Sequence, residues 1–183
     1  MRFGATETYL VAIVLISLIA LATDVARGKI YNWLTLPALL LGIAVSASLA
    51  GWSGASDSLL GAGAGLLLFG WIFWLGFMGA GDVKLLMALG AWGGLAYTAD
   101  VAVFSVAVGA VIAFFVLLFK GRLPDFFYRV SAPFMALFNR GFKFRFPEID
   151  RRLRMPFGIP IAVAAVWVAV DNPVARLGLD LWR

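Results

Sequence analysis

Uncharged apolar stretches recur along the chain, separated by short clusters of charge, glycine or proline, a pattern that predicts repeated crossings of a membrane by helices. Thr8 to Thr23 carries no charge over 16 residues. That length barely spans a bilayer, so Asp24 is expected at or just inside the interface. Ile30 to Ser56 holds 27 uncharged residues and predicts a second helix over Leu34 to Ala50, with Gly51-Trp52-Ser53-Gly54-Ala55-Ser56-Asp57 as a tight turn. A third helix is expected from Ser58 to Met78. It should stop at Gly79-Ala80-Gly81, where two glycines a residue apart disfavour continued helix. Leu85 to Ala99 offers only 15 uncharged residues, about 22 Å of helix against roughly 30 Å of hydrocarbon. Charge must therefore approach the membrane here: either Asp82 and Lys84 form the first turn of helix four, or Asp100 is drawn in at the other end. The glycine break favours the first. Val101 to Phe119 is an ordinary 19-residue span, and a sixth helix is expected over Pro156 to Val170, with proline where a helix accepts it.

Composition agrees with this count. The chain is 63% hydrophobic and 14% charged, with a mean hydropathy of +0.96, values of a protein dissolved in lipid. Its 183 residues have room for six spans and one larger insert but no separate soluble domain. The expected fold is an all-α membrane protein of six transmembrane helices forming one domain, residues 1–183. Cysteine and histidine are both absent, which excludes a disulfide framework, Ser-His and Cys-His catalysis and the H-E-x-x-H zinc site. No cofactor and no metal site are implied, since two aspartates without His or Cys make a poor transition-metal site.

Charge then sets orientation. Arg27 and Lys29 follow helix one, Lys84 follows helix three, and nine Lys or Arg fall between helices five and six, so twelve of the fifteen basic residues lie on one side. The other side has Arg2, Arg176 and Arg183. The positive-inside rule makes the basic side cytoplasmic, with both termini outside and Asp24 and Asp82 facing the cytoplasm. No cleavable signal is evident, because the first apolar segment leads directly into the Asp24 loop. The insert at about 120–155 interleaves its basic residues with Phe126, Phe127, Tyr128, Phe134, Phe138, Phe142, Phe144 and Phe146. That mix suits an element lying on anionic lipid headgroups, read either as a topology-setting loop or as a guide for substrate, better than nucleic acid.

The candidate chemistry is carboxylate chemistry. Two apolar runs each deliver an aspartate to their ends, Asp24 and Asp82, where an ionised group is expensive and needs a reason. Two close carboxylates sharing one proton can act as base and acid on water and a peptide carbonyl, because both cannot be ionised cheaply. The simpler reading is helix capping, which also covers Asp57 and Asp100 in turns on the opposite side. Lys84, two residues from Asp82 on a continuing helix, points elsewhere and is expected to reach headgroups or a substrate carboxylate. Gly61 and Gly65 form a G-x-x-x-G spacing that suits close helix packing.

Three segments together carry a resemblance. Asp24-x-x-x-x-x-Ile30-x-Asn32 with Pro37, then Gly79-Ala80-Gly81-Asp82-Val83-Lys84, then Met155-Pro156-Phe157-Gly158-Ile159-Pro160-Ile161-Ala162 resemble the motifs of the type IV prepilin peptidases, membrane aspartyl proteases with a G-x-G-D signature. The resemblance implies cleavage of prepilin leaders on the cytoplasmic side of the inner membrane, with Asp24 and Asp82 activating water. Gly79, Gly81, Lys84, Arg27, Asn32, Pro156 and Gly158 would support that site. Larger members carry a cysteine-containing insert and methylate the new N-terminus; this chain lacks both the cysteines and the insert. It therefore resembles the short form found with Flp or tight-adherence pili, or the preflagellin peptidases, without the methyltransferase region. The implied partners are a prepilin, pseudopilin or preflagellin leader and membrane lipid. Two rivals stand beside it. A lipoprotein signal peptidase would have four spans and an outward-facing dyad; a six-helix carrier or channel would use the same carboxylates to bind an ion or proton.

Overall fold

The computed structural model describes residues 3–74, 78–119, 121 and 157–171. The described regular structure is wholly helical: α1 (Phe3–Arg27), α2 (Asn32–Trp74), α3 (Ala80–Phe119) and α4 (Gly158–Val170). α1, α2 and α3 contain stretches long and apolar enough to cross a membrane, and α4 is a shorter apolar helix. The chain is a membrane protein. Apart from Gly121, the basic aromatic insert at 120–155 lies outside the described residues, as does Pro156.

Neither long helix is a single rod. α2 has non-helical backbone at Gly51 (φ 62°, ψ −141°), and α3 has it at Gly94 (φ 80°, ψ −175°). A positive φ costs an ordinary L-residue about 1–2 kcal/mol, a penalty glycine escapes. Two contacts show that α2 folds back. Trp92 Nε1 donates to the carbonyl of Ala38 in the first arm at 2.8 Å, and Ser58 Oγ in the second arm donates to the carbonyl of Ala91 at 2.6 Å. In a straight helix Ala38 and Ser58 would stand about 30 Å apart. Contacts from Asn32 to Lys84 and from Gly42 to Ala91 run the first arm of α2 parallel to α3. Those from Gly61 to Gly90 and from Gly65 to Met87 run the second arm antiparallel.

α3 reverses in the same way. Its first arm packs on α2, and its second arm on α4, where Tyr97 donates to the carbonyl of Ala165 at 2.9 Å and Phe104 meets Trp167 edge-on at 5.0 Å. Gly109 returns to Phe157 at the head of α4, and Gly81 meets Ile30, which touches Gly158. One end of the bundle thus holds Asp24, Ile30, Gly81 and Gly158. The opposite end holds Gly51, Asp57 and Gly94.

Small residues make this packing possible. A Cβ at Gly65 would lie 2.8 Å from the Met87 amide nitrogen and one at Gly61 would strike the Gly90 carbonyl, so the G-x-x-x-G spacing is a helix contact as its pattern suggests. Phe69, Leu85, Leu86, Leu89 and Ile161 are fully buried around it.

Two expected boundaries move. The turn over 51–57 shrinks to Gly51, since Trp52 to Asp57 are already helical. The break expected at Asp100 falls at Gly94, and Asp100 lies buried within the second arm of α3 rather than in a turn. Glycine supplies the φ that reversal requires, and a charge does not. Asp57 caps a helix as expected, but not its own: its Oδ1 accepts from the Leu95 amide at 3.4 Å, at the start of the second arm of α3.

Candidate active site

α1 continues past Thr23 to Arg27, so Asp24 sits in its last turn, and the Gly28 amide donates to the Asp24 carbonyl at 2.7 Å. The side chain turns inward and is only 5% exposed. It faces the first turn of α4. Phe157, the N-cap of α4, makes no side-chain cap of its own, and the backbone amides of Gly158 and Ile159 address the Asp24 carboxylate instead. The positive end of the α4 dipole lies there as well. Even so, Asp24 Oδ2 is buried and accepts no hydrogen bond of normal geometry among the described residues. Gly158 has to be glycine for this approach: a Cβ would come within 2.5 Å of Asp24 Oδ2 and 2.8 Å of Ile30 Cδ1.

Asp82 occupies the first turn of α3 and is 7% exposed. Its amide donates to the Gly79 carbonyl at 3.2 Å, and the Gly79 amide donates back to Asp82 Oδ2 at 3.0 Å. This is the second half of a capping box, with the side chain three residues into the helix reaching back to the N-cap amide. The capping role weighed from sequence is therefore real at Asp82, and it engages Oδ2. At Gly81 a Cβ would lie 3.0 Å from Ile30 Cβ and 3.2 Å from the Ile30 carbonyl oxygen. Ile30 thus stands between the two motifs, with Gly81 and Asp82 on one side and Gly158 and Asp24 on the other.

The supporting residues divide. Lys84 Nζ donates to Asn32 Oδ1 at 2.9 Å, tying the first residue of α2 to the first turn of α3, a partner the sequence did not suggest. Arg27 is exposed and turns to Tyr31, donating to its hydroxyl at 3.1 Å with the guanidinium 5.9 Å from the ring centroid. Pro37 lies exposed in the first arm of α2. Phe157 packs edge-on against the buried Phe69 at 6.3 Å. Sequence reasoning named Ile30 only as part of a motif and did not single out Tyr31 or Phe69. Tyr31, four residues from Arg27, was the one whose spacing signalled a partner. Among the described residues no three carboxylates gather as metal ligands would.

The fold and this site define a class: a helical membrane protein that buries two carboxylates at one end of its bundle, one against a glycine turn and the other against a helix N-terminus. The profile of the type IV leader peptidase family matches residues 11–114, more than half of the chain and including both aspartates, and the chain belongs to that family. It is 38% identical over 106 residues to a prepilin leader peptidase/N-methyltransferase of Xanthomonas campestris pv. campestris, covering 54% of this chain and 37% of that protein. It is 35% identical over 133 residues to the protein of the same description in Myxococcus xanthus, covering 66% of this chain and 38% of the relative. The chain thus spans less than two fifths of the length of these curated relatives. No solved structure matches it.

Proposed function

We propose that this chain is a membrane aspartyl endopeptidase that removes the leader from prepilin-like precursors, of Flp pilin, pseudopilin or preflagellin type, at the cytoplasmic face of the inner membrane. The observation that carries the reading is a buried carboxylate oxygen, Asp24 Oδ2, which accepts no hydrogen bond of normal geometry among the described residues though two amides of α4 address its carboxylate, at the same end of the bundle as a second buried aspartate. Leaving such an atom unpaired costs about 1–3 kcal/mol or more, which structure alone does not repay. An attacking water is the partner that fits. In this mechanism the dyad holds one proton between its two carboxyls. The ionised member takes a proton from water as the oxygen attacks the scissile carbonyl, and the protonated member donates to the carbonyl oxygen. The pair titrates as a unit, so the two roles belong to the dyad.

Topology follows in the same proposal. With the arms of α2 and α3 counted separately, six apolar segments support six spans, both termini outside and the Asp24–Asp82 end in the cytoplasm, where the basic residues concentrate. Family membership supports a peptidase over an ion carrier.

The test is cleavage of a pilin precursor in membranes by single and double variants. Asp24→Asn and Asp82→Asn should each lower the rate by roughly a hundred- to ten-thousandfold, and the double variant should be no slower than either. In Asp82→Asn the amide oxygen of the new side chain can still accept from the Gly79 amide, so the fold survives while proton transfer does not. Near-normal cleavage by Asp82→Asn would remove the dyad.

A further inference from the structure

A cavity of about 520 Å³ lies in the seam between α1 and α4, bordered by Ser17, Leu18 and Leu21 on one wall and Val163, Val166 and Trp167 on the other, with Asp171 at the end away from Asp24. It opens sideways: Leu18, Val163 and Trp167 are between two fifths and just over half exposed. Its volume is in the range of ligand-binding clefts. That is room for several side chains from one face of a helix, and not for the helix itself.

Two further observations say what fits. α1 and α4 run antiparallel here, with Asp24 beside Gly158 and Ser17 and Leu18 across from Val166 and Trp167, so the cavity continues the line that begins at Asp24. Ser17 lies seven residues before Asp24, two turns and about 10 Å along the same face of α1. Ser17 is also 1% exposed, and its hydroxyl has no hydrogen-bond partner among the described residues. A lipid chain brings nothing to that hydroxyl. A peptide helix brings carbon to the walls and can bring one polar side chain to Ser17.

We infer that the α1–α4 seam receives the apolar helix of the precursor, entering sideways from the bilayer with its leader end at Asp24, and that Ser17 Oγ takes up a polar group about two turns beyond the cleaved bond. A helix in lipid satisfies its own amides, so it can lie in the seam intact. Asp24 is in the last turn of α1, so only the end of such a helix reaches it, where unwinding exposes a peptide bond. The inference rests on the peptidase reading and names how that site holds its substrate.

The chain has no cysteine, so single cysteines report cleanly. Val163→Cys should form a disulfide, under mild oxidation in membranes, with a full-length Flp-type pilin precursor bearing one cysteine seven residues after its leader. Leu67→Cys, 77% exposed on the second arm of α2, should not. Ser17→Ala should raise KM about three- to tenfold, the worth of one hydrogen bond, with kcat within about twofold and the thermal midpoint unchanged or higher. Val163→Trp, which fills the seam from its exposed side, should also raise KM. Crosslinking at Leu67 as strong as at Val163, or unchanged KM in both variants, overturns the seam as the docking site and leaves it to lipid. A Val163 crosslink to a precursor that the unmodified chain leaves uncut keeps the seam and overturns the peptidase reading.

Discussion

Lys84 is two residues from Asp82, yet its ammonium serves Asn32, 52 positions away, at 2.9 Å. It ties the entry of α2 to the first turn of α3, which also carries Asp82, and on the proposed mechanism it would position that turn. Lys84→Met keeps the aliphatic stem and removes that bond. It should lower stability in detergent by about 0.5–1.5 kcal/mol and reduce kcat less than tenfold, with Lys84→Arg recovering part of both. A loss as deep as that of Asp82→Asn would put Lys84 in the chemistry itself. The two aspartates stand out in the sequence because a carboxylate at the end of an apolar run is costly wherever it folds. The Lys84–Asn32 bond does not, since no spacing rule links residues brought together only by tertiary packing. Asp57 is the better control for the aspartate variants. Asp100, buried inside α3, is not the neutral surface position its sequence context suggests.

The helices carry their reversals in two glycines, and the two differ in a way that can be measured. Gly51 and Gly94 both have positive φ, so alanine at either should cost about 1–2 kcal/mol in backbone strain. Around Gly51 nothing lies within 4 Å of an added Cβ, whereas at Gly94 the Asp57 carboxylate is in the way. Gly94→Ala should therefore lower the thermal midpoint more than Gly51→Ala, and Asp57→Ala should narrow the difference. Equal midpoints would mean that the Asp57 contact contributes nothing to the second break. The sequence marks Gly51 as a turn because polar and small residues surround it. It hides Gly94 in an unbroken apolar run, with a charge six residues further on as the more conspicuous but wrong boundary.

For the whole molecule, the two ends of the bundle should fall on opposite sides of the membrane. The first arm of α2 from Asn32 to Ala50 is about 28 Å long, close to the hydrocarbon thickness. Single cysteines replacing Lys29 and Ala80 should react with an impermeant thiol reagent only from the cytoplasm, and those replacing Ser53 and Ala96 only from outside. Lys29 and Ala80 reacting from opposite sides would separate the two aspartates by a bilayer and end any shared site. The alternation of apolar runs and the twelve-to-three distribution of basic residues lead to this expectation without coordinates. Hydropathy says nothing about which helices are neighbours, because every face of an apolar helix reads alike. The α1–α4 seam and the contacts of Ile30 became visible only in the structure.

Ile30 has the further quality of a shim. Its backbone and Cβ rest on Gly81 while its tip rests on Gly158, so one side chain sets the spacing between the first turns of α3 and α4. Neither glycine can take up slack by growing a side chain, since each would collide with Ile30. The approach of the first turns of α3 and α4 is thereby tied to the bulk of Ile30, and exchanging this one aliphatic side chain in the α1–α2 connection should widen or narrow it while leaving Asp24 and Asp82 unchanged in sequence.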